Sequence, residues 1–311
     1  MRPLICLMAA GMLAASAFPA NAAEPAYGEA FDTLYRIDLD ARQASAIGVA
    51  GSYAGQRIGN ISGLSQTGDG SLYAVSGAAK LLLSLDPVSG AATVVGKLSV
   101  AGQGTGPFDA LDLNMVAGCD GELLLTSAVA RQLWSVDPAT AVATPIGPTG
   151  AAITGLVMHN RTLYGAGGKG DNTFYRIDAQ TGAATPIGSF GPGVTRWVNS
   201  VSMSFDADGV LWAVLNYVPP QHDSDPPADW SDLARIDPRT GTVTVLGPIT
   251  GPESLRQVGM KGFSAGPTQC RREPGGSAPV SAPVDAPWAL ALLGLVLAAG
   301  GAAGLRARRR A

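Results

Sequence analysis

The segment Leu233-Ala-Arg-Ile-Asp-Pro-Arg-Thr-Gly-Thr-Val-Thr-Val-Leu-Gly247 is one of five similar copies in the chain. The other copies begin at Leu34, Leu82, Leu133 and Phe174. In every copy an aspartate stands ten residues before a glycine, and these pairs are Asp38 and Gly48, Asp86 and Gly96, Asp137 and Gly147, Asp178 and Gly188, and Asp237 and Gly247. A unit repeated in this way is typical of an architecture in which neighbouring units bury one another.

Each copy predicts a β-hairpin. The first arm is rich in aromatic and aliphatic residues, as in Phe174-Tyr-Arg-Ile177, and the second is β-branched, as in Thr244-Val-Leu-Gly247. The arms are joined by Asp-Pro-x-Thr/Ser-Gly, which is complete in Asp86–Gly90 and Asp237–Gly241. The aspartate can accept the backbone N–H two residues on, proline presets φ, and glycine takes the positive φ that a G1 bulge needs. Because a lone hairpin is marginally stable, we expect the five hairpins to pack together.

Two further strands are predicted before most of these hairpins. The nearer strand covers 72–75, 123–125, 163–166 and 211–214. The first strand of each unit covers 61–64, 110–113, 153–158, 201–205 and 258–263. Four short strands per unit is the strand count of a propeller blade.

The ends of the repeat region predict that it closes into a ring. The first hairpin, at Leu34, has no first strand before it, and the last first strand, Val258–Phe263, has no hairpin after it. Placing that C-terminal strand beside the N-terminal strands leaves no exposed sheet edge. We therefore predict an all-β, five-bladed β-propeller over residues 23–268, closed by N- and C-terminal strands. Six blades, one of them degenerate, is the alternative.

The N-terminus predicts export. Residues 1–22 have a basic start, an apolar run and an Ala-x-Ala site, so we predict a signal peptide that is cut between Ala22 and Ala23. Two cysteines, Cys119 and Cys270, remain after this cleavage. In an oxidising compartment they are expected to form one disulfide, and two isolated buried thiols are the alternative.

The C-terminus predicts a membrane segment. Residues 269–287 form a Pro/Gly/Ser-rich linker, which cannot build a core. Residues 288–305 carry no charge and are just long enough for a transmembrane or sorting helix. A basic tail, residues 306–311, would stay on the cytoplasmic side. Its charged residues are Arg306, Arg308, Arg309 and Arg310.

The segment from Pro283 to Ala311 resembles the C-terminal sorting signals of Gram-negative bacteria, the PEP-CTERM and IPTL-CTERM class. The sorting motif consists of Val284, Asp285, Ala286, Pro287 and Trp288. With the Ala-Leu that follows, it is closer to a Trp-Ala-Leu form than to the Pro-Glu-Pro form, which is absent. The resemblance implies that an exosortase-like membrane protease is a partner. It also implies a transient or permanent inner-membrane anchor and delivery to the cell surface or the extracellular space. An ordinary tail anchor is the alternative.

The repeat resembles the Leu-Tyr-x-Ile-Asp-Pro-x-Thr-Gly propeller units of many exported bacterial proteins. It is more distantly similar to quinoprotein-like and lactonase-like propellers. The resemblance implies architecture and carries over no catalytic residue, because the Asp, Pro, Thr and Gly of the motif form turns.

The charge distribution argues against a nucleic-acid partner. Apart from Arg2 and the four tail arginines, the chain holds 24 acidic residues and 16 basic ones. Nucleic-acid affinity comes mostly from cationic contacts to phosphate, so this acidic body excludes that class of ligand.

The insertion at residues 217–232 is the most distinctive departure from the repeat. Its candidate ligand or metal residues are His222, Asp223, Asp225, Asp229, Trp230 and Asp232. Carboxylates in a flexible loop suit calcium, and a solvated acidic loop is the alternative. No other cofactor is predicted.

Other motifs are expected to be structural. Gly165–Gly170 matches G-x-G-x-x-G but leads into a strand, so we predict a hairpin loop rather than a dinucleotide site. Gly262–Gly266 matches G-x-S-x-G without a following helix and is the end of the closing strand. His159 is expected in a solvated turn. Arg196 and Trp197 are expected to pack at the rim, with a sugar or peptide contact as the alternative.

Two function classes are considered, and the export and sorting signals, the scarcity of histidine and the absence of an intact catalytic motif favour the first. The first is a monomeric, non-enzymatic binding or interaction module whose ligand is a glycan, a matrix polymer or a protein. The rival is a propeller hydrolase or lyase that gathers channel carboxylates such as Asp112 and Asp206, with or without calcium. A spacer without a specific ligand is a third alternative.

Overall fold

The computed structural model describes residues 25–100, 111–217, 230–252, 255 and 259–270. Within these ranges the protein is all-β and contains no α-helix. The strands in chain order are β1 (Ala26–Ala30), β2 (Thr33–Asp38), β3 (Gln43–Val49), β4 (Ser52–Tyr53), β5 (Gln56–Arg57), β6 (Ile61–Gln66), β7 (Leu72–Ser76), β8 (Leu81–Leu85), β9 (Ala92–Lys97), β10 (Leu113–Ala117), β11 (Leu123–Ser127), β12 (Gln132–Val136), β13 (Ala143–Pro148), β14 (Gly155–His159), β15 (Thr162–Ala166), β16 (Thr173–Ile177), β17 (Ala184–Ser189), β18 (Ser200–Phe205), β19 (Leu211–Asn216), β20 (Ser231–Ile236), β21 (Val243–Pro248) and β22 (Met260–Ser264).

These strands form five four-stranded antiparallel sheets, which are the blades of a propeller. Blade 1 has the order β22-β1-β2-β3, and blades 2 to 5 are β6–β9, β10–β13, β14–β17 and β18–β21. The two short strands β4 and β5 pair separately. The five-bladed β-propeller predicted from the sequence is therefore confirmed, and the six-bladed alternative is not adopted by the described chain.

The ring closes through strands from opposite ends of the described chain. In blade 1, β22 pairs with β1, and Phe263 lies opposite Gly28. A Cβ on Gly28 would lie against the side chains of Met260 and Ile37, so a larger residue at this junction would force them to move. The predicted closure by N- and C-terminal strands is confirmed, and it removes the edge that an open sheet would expose.

The core lies between the blades rather than within a single sheet. Five clusters of buried apolar side chains occupy the five interfaces between successive blades. The cluster between blades 1 and 2, for example, joins Leu34 of β2 to Leu72 of β7, both almost fully buried. Burial of such a side chain stabilises the fold by about 1.5–3 kcal/mol, so the blades stabilise one another.

The five hairpin turns use the predicted aspartate. In each turn the carboxylate accepts the backbone N–H of the residue two positions on, at 2.7–3.0 Å. The fifth residue of the turn takes a positive φ: it is glycine in three turns, Arg42 (52°) in blade 1 and Ala141 (61°) in blade 3. The turn chemistry therefore tolerates a missing glycine where the other turn contacts are kept.

The bulge in each hairpin corrects one prediction. The register does not shift at the turn glycine. It shifts at the end of the hairpin far from the turn, directly after a residue of the first arm, which is Leu34, Leu82, Leu133, Phe174 or Leu233. The final glycine of the repeat follows this bulge. A Cβ on Gly48, Gly147 or Gly188 would lie 2.0–2.1 Å from a carbonyl oxygen in the turn of the next blade. That glycine is present because two blades approach closely there.

The inner strands, β6, β10, β14, β18 and β22, surround the propeller axis, and each lies beside its two neighbours. A polar side chain links every neighbouring pair. The five links are Ser62 Oγ to Leu113 O (2.6 Å), Leu156 N to Asn114 Oδ1 (3.0 Å), Val201 N to Thr154 Oγ1 (3.1 Å), Ser202 Oγ to Lys261 O (2.7 Å) and Ser264 Oγ to Gln66 Oε1 (3.1 Å). These hydrogen bonds join neighbouring inner strands and offset the cost of burying their polar groups.

Three predicted first strands begin two or three residues later than predicted, and one of them, predicted at 258–263, covers Met260–Ser264. The strand predicted at 110–113 begins at Leu113 and continues to Ala117. The strand predicted at 153–158 covers Gly155–His159. Before the strand that begins at Leu113, Asp112 has a φ of 50°, so the chain is not extended there as it enters the blade.

The propeller has two unlike faces. The five inner strands begin at one face, here called the loop face, which carries the described segments 50–60, 111–112, 149–154, 167–172 and 190–199. They end at the other, here called the strap face, because residues 266–270 cross it. On this strap Thr268 N donates to Gln66 O of blade 2 (2.9 Å), and Gln269 O accepts Asn160 N of blade 4 (2.9 Å).

A disulfide fastens the strap to blade 3. Cys270 is bonded to Cys119, which follows β10, with a Cα–Cα distance of 5.4 Å. Gln269 Nε2 also donates to the carbonyl oxygen of Asp206 in blade 5, at 2.5 Å. The sequence assigns Gln269 and Cys270 to the linker, yet both residues contact blades.

The predicted targeting segments, residues 1–22, the linker from 271 on, the helix 288–305 and the basic tail, lie outside the described residues. In the part of the chain that the structure does describe, no helix is both long and apolar enough to cross a membrane.

Candidate functional site

Three blades bring charged side chains to the mouth of the channel on the loop face. Asp112 stands directly before β10 of blade 3, Lys169 lies between β15 and β16 of blade 4, and Lys261 is the second residue of β22 in blade 1. Lys169 Nζ lies 2.9 Å from Asp112 Oδ2, and Lys261 Nζ lies 3.1 Å from Asp112 Oδ1. One carboxylate therefore holds two ammonium groups from opposite sides of the mouth.

The electrostatics of this group are balanced by the two lysines. The side chain of Asp112 is only 11% exposed, while those of Lys261 and Lys169 are 22% and 39% exposed. Burial by itself raises the pKa of Asp112, but the ammonium charges of Lys261 and Lys169 outweigh burial and hold the pKa below its ordinary value. Asp112 is therefore ionised at neutral pH, and the group carries one net positive charge.

The loop that carries Lys169 is the glycine-rich segment Gly165–Gly170, and it is a hairpin loop as predicted. Its backbone is docked on blade 5, because Lys169 N donates to Val198 O (2.9 Å) and Asn199 O (3.1 Å). A Cβ on Gly168 would lie 2.6 Å from Asn199 O. Glycine thus allows the loop to approach blade 5 closely enough to direct Lys169 towards the channel.

An exposed aromatic side chain stands beside this loop. Trp197 is 44% exposed, and its Nε1 would lie 3.5 Å from a Cβ on Gly170. The neighbouring Arg196 guanidinium stacks on the ring of Tyr217, 3.8 Å from its centroid. Burial and the carboxylate of Asp232 raise the pKa of Tyr217, so its hydroxyl stays protonated. The rim residue Arg196 is therefore held in place, while the indole of Trp197 is presented to solvent.

The predicted insertion site is described only at its end. Trp230 is half-buried, and its carbonyl accepts the N–H of Tyr217 at 2.8 Å. Asp232 is a buried residue of β20 that contacts the Tyr217 hydroxyl. The other candidate ligands, His222, Asp223, Asp225 and Asp229, lie outside the described residues, so a calcium role for them stays a prediction. Among the described residues no three His, Cys, Asp or Glu side chains cluster as metal ligands would.

The two carboxylates considered for catalysis lie on opposite faces. Asp112 reaches the channel mouth of the loop face, whereas Asp206 follows β18 at the strap face and accepts the indole N–H of Trp212 at 2.7 Å. They therefore cannot act together on one substrate.

The prediction for His159 was wrong. This residue ends β14, and its ring stacks on Phe205 with a centroid distance of 4.2 Å. It is half-buried rather than solvated, because the ring closure brings blades 4 and 5 together at the strap face.

A second unusual carboxyl group lies near the loop face. Glu29 of β1 is fully buried, and neither of its carboxyl oxygens has a hydrogen-bond partner among the described residues. Burial, and secondarily the nearby negative charge of Asp32, raise the pKa of Glu29 well above its ordinary value. Asp32 itself is paired with Arg57. Both effects favour the protonated, uncharged form of the Glu29 carboxyl group.

Two large surface grooves lie between blades. One, of about 690 Å³, is lined by residues including Arg36, Asp38 and Asp206, and another, of about 750 Å³, by residues including Arg176 and Asp178. Both grooves use the arginine and aspartate from matching positions of the repeat in blades 1 and 4, so they are features of the repeated scaffold.

Sequence reasoning missed Lys169 and Lys261 as site residues. A signal was present for Lys261, because it is the only Lys, Arg, Asp or Glu in the five inner strands of the described chain. Lys169 was hidden in a glycine-rich loop that was correctly assigned as structural. The signal for Trp197 was its place in a long loop before β18.

No protein-family model matches the chain, and no curated protein matches it. Among solved structures, it is similar to a structural genomics protein of unknown function from Bacteroides thetaiotaomicron VPI-5482 (15% identity, TM-score 0.45, over 61% of this chain and 53% of that one). The chain thus spans about half the length of that protein. It is also similar to Staphylococcus aureus virginiamycin B lyase (13%, 0.41, over 75% and 72%) and to a chain of a nidogen/laminin complex (12%, 0.46, over 77% and 97%). The fold assignment rests on the strand pairing described above.

Proposed function

We propose that this chain is an exported, envelope-sorted propeller that acts as a monomeric, non-enzymatic binding module at the cell surface or outside the cell. Its ligand is a glycan, a matrix polymer or a protein, and the loop face receives it. The observation that carries the proposal is the 44% exposed Trp197 beside the channel mouth. An exposed indole next to polar groups is a stacking surface of the kind that binding sites use.

The difference between the two faces supports the choice of surface. On the strap face, residues 266–270 cross the end of the channel and are bonded to the blades. On the loop face, connections of unequal length meet around the mouth, and the insertion after β19 leaves the blade there. Variable loops on a rigid scaffold are the usual location of binding residues.

The disulfide supports export. A bond between Cys119 and Cys270 is stable in an oxidising compartment and rare in the cytosol. This agrees with a signal peptide at residues 1–22. Sorting by an exosortase-like protease, with residues 288–305 as the anchor, rests on the resemblance of the C-terminal segment.

Export and sorting are tested by cell fractionation with intact-mass measurement of the native protein. We expect a mass that lacks residues 1–22 and lacks two hydrogens because of the disulfide. We also expect a second cut near Val284–Trp288. A cytoplasmic protein with both termini intact would contradict the proposal.

Binding is tested by exchanging Trp197 for alanine and measuring retention of the protein on isolated cell-envelope material and on a glycan array. Loss of a stacked aromatic contact of about 1.4 kcal/mol corresponds to roughly tenfold weaker binding. The matched control is Val88→Ala, since Val88 is 85% exposed in a strap-face turn. If both variants are retained equally, Trp197 does not contribute to binding, and the proposal is overturned.

A further inference from the structure

We infer that the channel mouth binds the acid group of an acidic glycan, with Lys169 and Lys261 contacting its carboxylate or sulfate oxygens. This inference rests on the proposed binding function and specifies its ligand class. It starts from the position of the two ammonium groups, which come from blades 4 and 1 and meet at one carboxylate of blade 3.

The two lysines retain donors for a ligand. An ammonium group has three N–H donors. Asp112 Oδ1 is contacted by Lys261 Nζ and Asp112 Oδ2 by Lys169 Nζ, which accounts for one donor on each lysine. The exposed fractions of 22% for Lys261 and 39% for Lys169 show that part of each side chain remains open to solvent, and hence to a ligand.

Asp112 stabilises the two neighbouring lysines but cancels only one of their two positive charges. Two ammonium groups this close would repel each other, and the carboxylate between them removes that repulsion. One positive charge remains in a partly desolvated site, where it attracts an anion more strongly than on an open surface. Because the body of the chain is acidic, this attraction belongs to the mouth and not to the protein as a whole.

A buried hydroxyl without a partner lies on β18, the inner strand beside the one that carries Lys261. Ser200 begins β18, is 5% exposed, and its Oγ has no hydrogen-bond partner among the described residues. By strand alternation it lies on the same side of β18 as Ser202, whose hydroxyl donates to the Lys261 carbonyl at 2.7 Å. An unsatisfied buried hydroxyl costs free energy, and because Ser200 Oγ is enclosed, a bound oxyanion could accept from it only after a local movement.

Trp197 indicates that the acid group belongs to a sugar. Its indole lies beside the Lys169 loop, as its closeness to Gly170 shows. Pyranose rings offer C–H faces that stack on an indole, and an acidic sugar offers the oxyanion as well. A glycan of several residues would therefore contact Trp197 with one ring and the two lysines with the acid group of another.

The inference is tested by titrating the mature protein with three hexasaccharides and measuring Kd by calorimetry at low and high salt. The probes are an alginate hexamer, which carries carboxylates, a heparin-derived hexamer, which adds sulfates, and neutral cellohexaose. We expect an acidic hexamer to bind at least tenfold more tightly than cellohexaose, with binding weakened by salt. The better acidic probe then identifies the acid group.

The variants Lys169→Met and Lys261→Met are each expected to weaken acidic binding about tenfold and to reduce its salt dependence. The matched control is Lys97→Met, which removes the same charge from an exposed position on β9 and is expected to change nothing. If Lys261→Met fails to fold, Lys169→Met in the loop and Lys261→Arg, which keeps the charge, decide the question. Unchanged acidic binding in Lys169→Met would overturn the inference.

The failure of this inference differs from that of the proposed function. If all three hexasaccharides bind equally and Trp197→Ala weakens them equally, the anion site is wrong and the binding module stands. If none of the hexasaccharides binds, the inference is overturned. The proposed function is then lost only if retention on envelope material is also insensitive to Trp197→Ala.

Discussion

The two faces of the propeller are built on different principles. On the strap face, five turns repeat one local design, in which an aspartate carboxylate accepts the N–H two residues on. On the loop face, unlike connections bring Asp112, Lys169 and Lys261 together from three blades. The comparison teaches that the repeat determines the scaffold, whereas departures from the repeat determine the candidate site.

The largest expected effect comes from releasing the strap. The disulfide joins residues 151 positions apart, so the double variant Cys119→Ser/Cys270→Ser should lose about 2–5 kcal/mol of unfolding free energy. Urea denaturation measures this loss. Glycan binding at the opposite face should change little below the unfolding transition. A loss of less than about 1 kcal/mol would show that the backbone hydrogen bonds of the strap hold it in place without the disulfide.

The next effect tests the close approach of neighbouring blades. Gly188→Ala places a Cβ 2.0 Å from Thr240 O and should cost about 1–3 kcal/mol because the backbone must shift. Gly96→Ala, with its nearest atoms at 3.0 Å, should cost less, and Gly68→Ala, with 4.0 Å, should cost almost nothing. Thermal melting of the three variants gives the series. Equal losses of stability in the three variants would show that the close packing of neighbouring blades does not require the final glycine of the repeat.

A smaller effect is expected from the charge group of the loop face. Asp112→Asn leaves two ammonium groups without their counter-ion and should cost about 1–2 kcal/mol, since the lysines are partly exposed and solvent screens them. The pKa of Asp112 is lowered in the fold, so its contribution is present above its ordinary value and is lost as pH falls through the lowered pKa. Melting temperatures of the native protein and Asp112→Asn should therefore converge in acid. Parallel pH profiles would contradict the ion pairs.

The smallest effect concerns Glu29. The pKa of Glu29 is raised in the fold, so the contribution of Glu29 to the free energy of unfolding is fully present in acid. That contribution is lost as pH rises from the ordinary carboxyl range through the raised pKa. Glu29→Met removes an unpaired buried group and should be neutral or stabilising by about 1 kcal/mol at alkaline pH. The melting temperature of this variant should therefore depend less on pH, from acid to alkaline conditions, than that of the native protein. A clear destabilisation at alkaline pH would mean that the carboxyl has a partner in the folded protein.

The fold was predictable because its signals are local and repeated. Asp86, Pro87 and Gly90 specify a turn within five residues, and the apolar run around Leu82 indicates the buried strand that enters it. The unmatched strand at Val258–Phe263 then indicated ring closure, since a strand without a hairpin needs a partner. The position of each bulge was less predictable, because it depends on where the next blade approaches.

The candidate site was predicted only at its edge. The sequence predicts Trp197 as a rim residue. It does not predict a site role for Lys169, because a lysine in a glycine-rich loop has no distinctive pattern. The insertion that drew most attention, residues 217–232, contributes Asp232 to a strand rather than to the mouth among its described residues. Composition identifies unusual segments, but it does not show which of them face one another.

By itself, the sequence determined the number of blades, the turns between their outer strands and the closure of the ring. These features follow from contacts between residues close in the chain and from the periodicity of strands. Only the tertiary structure decided that Lys261 meets Asp112, 149 positions away, and that residues 266–270 cross the strap face before the disulfide that the sequence predicts. Such contacts across the axis depend on the size and curvature of the closed ring, and no local rule of propensity or spacing specifies those quantities.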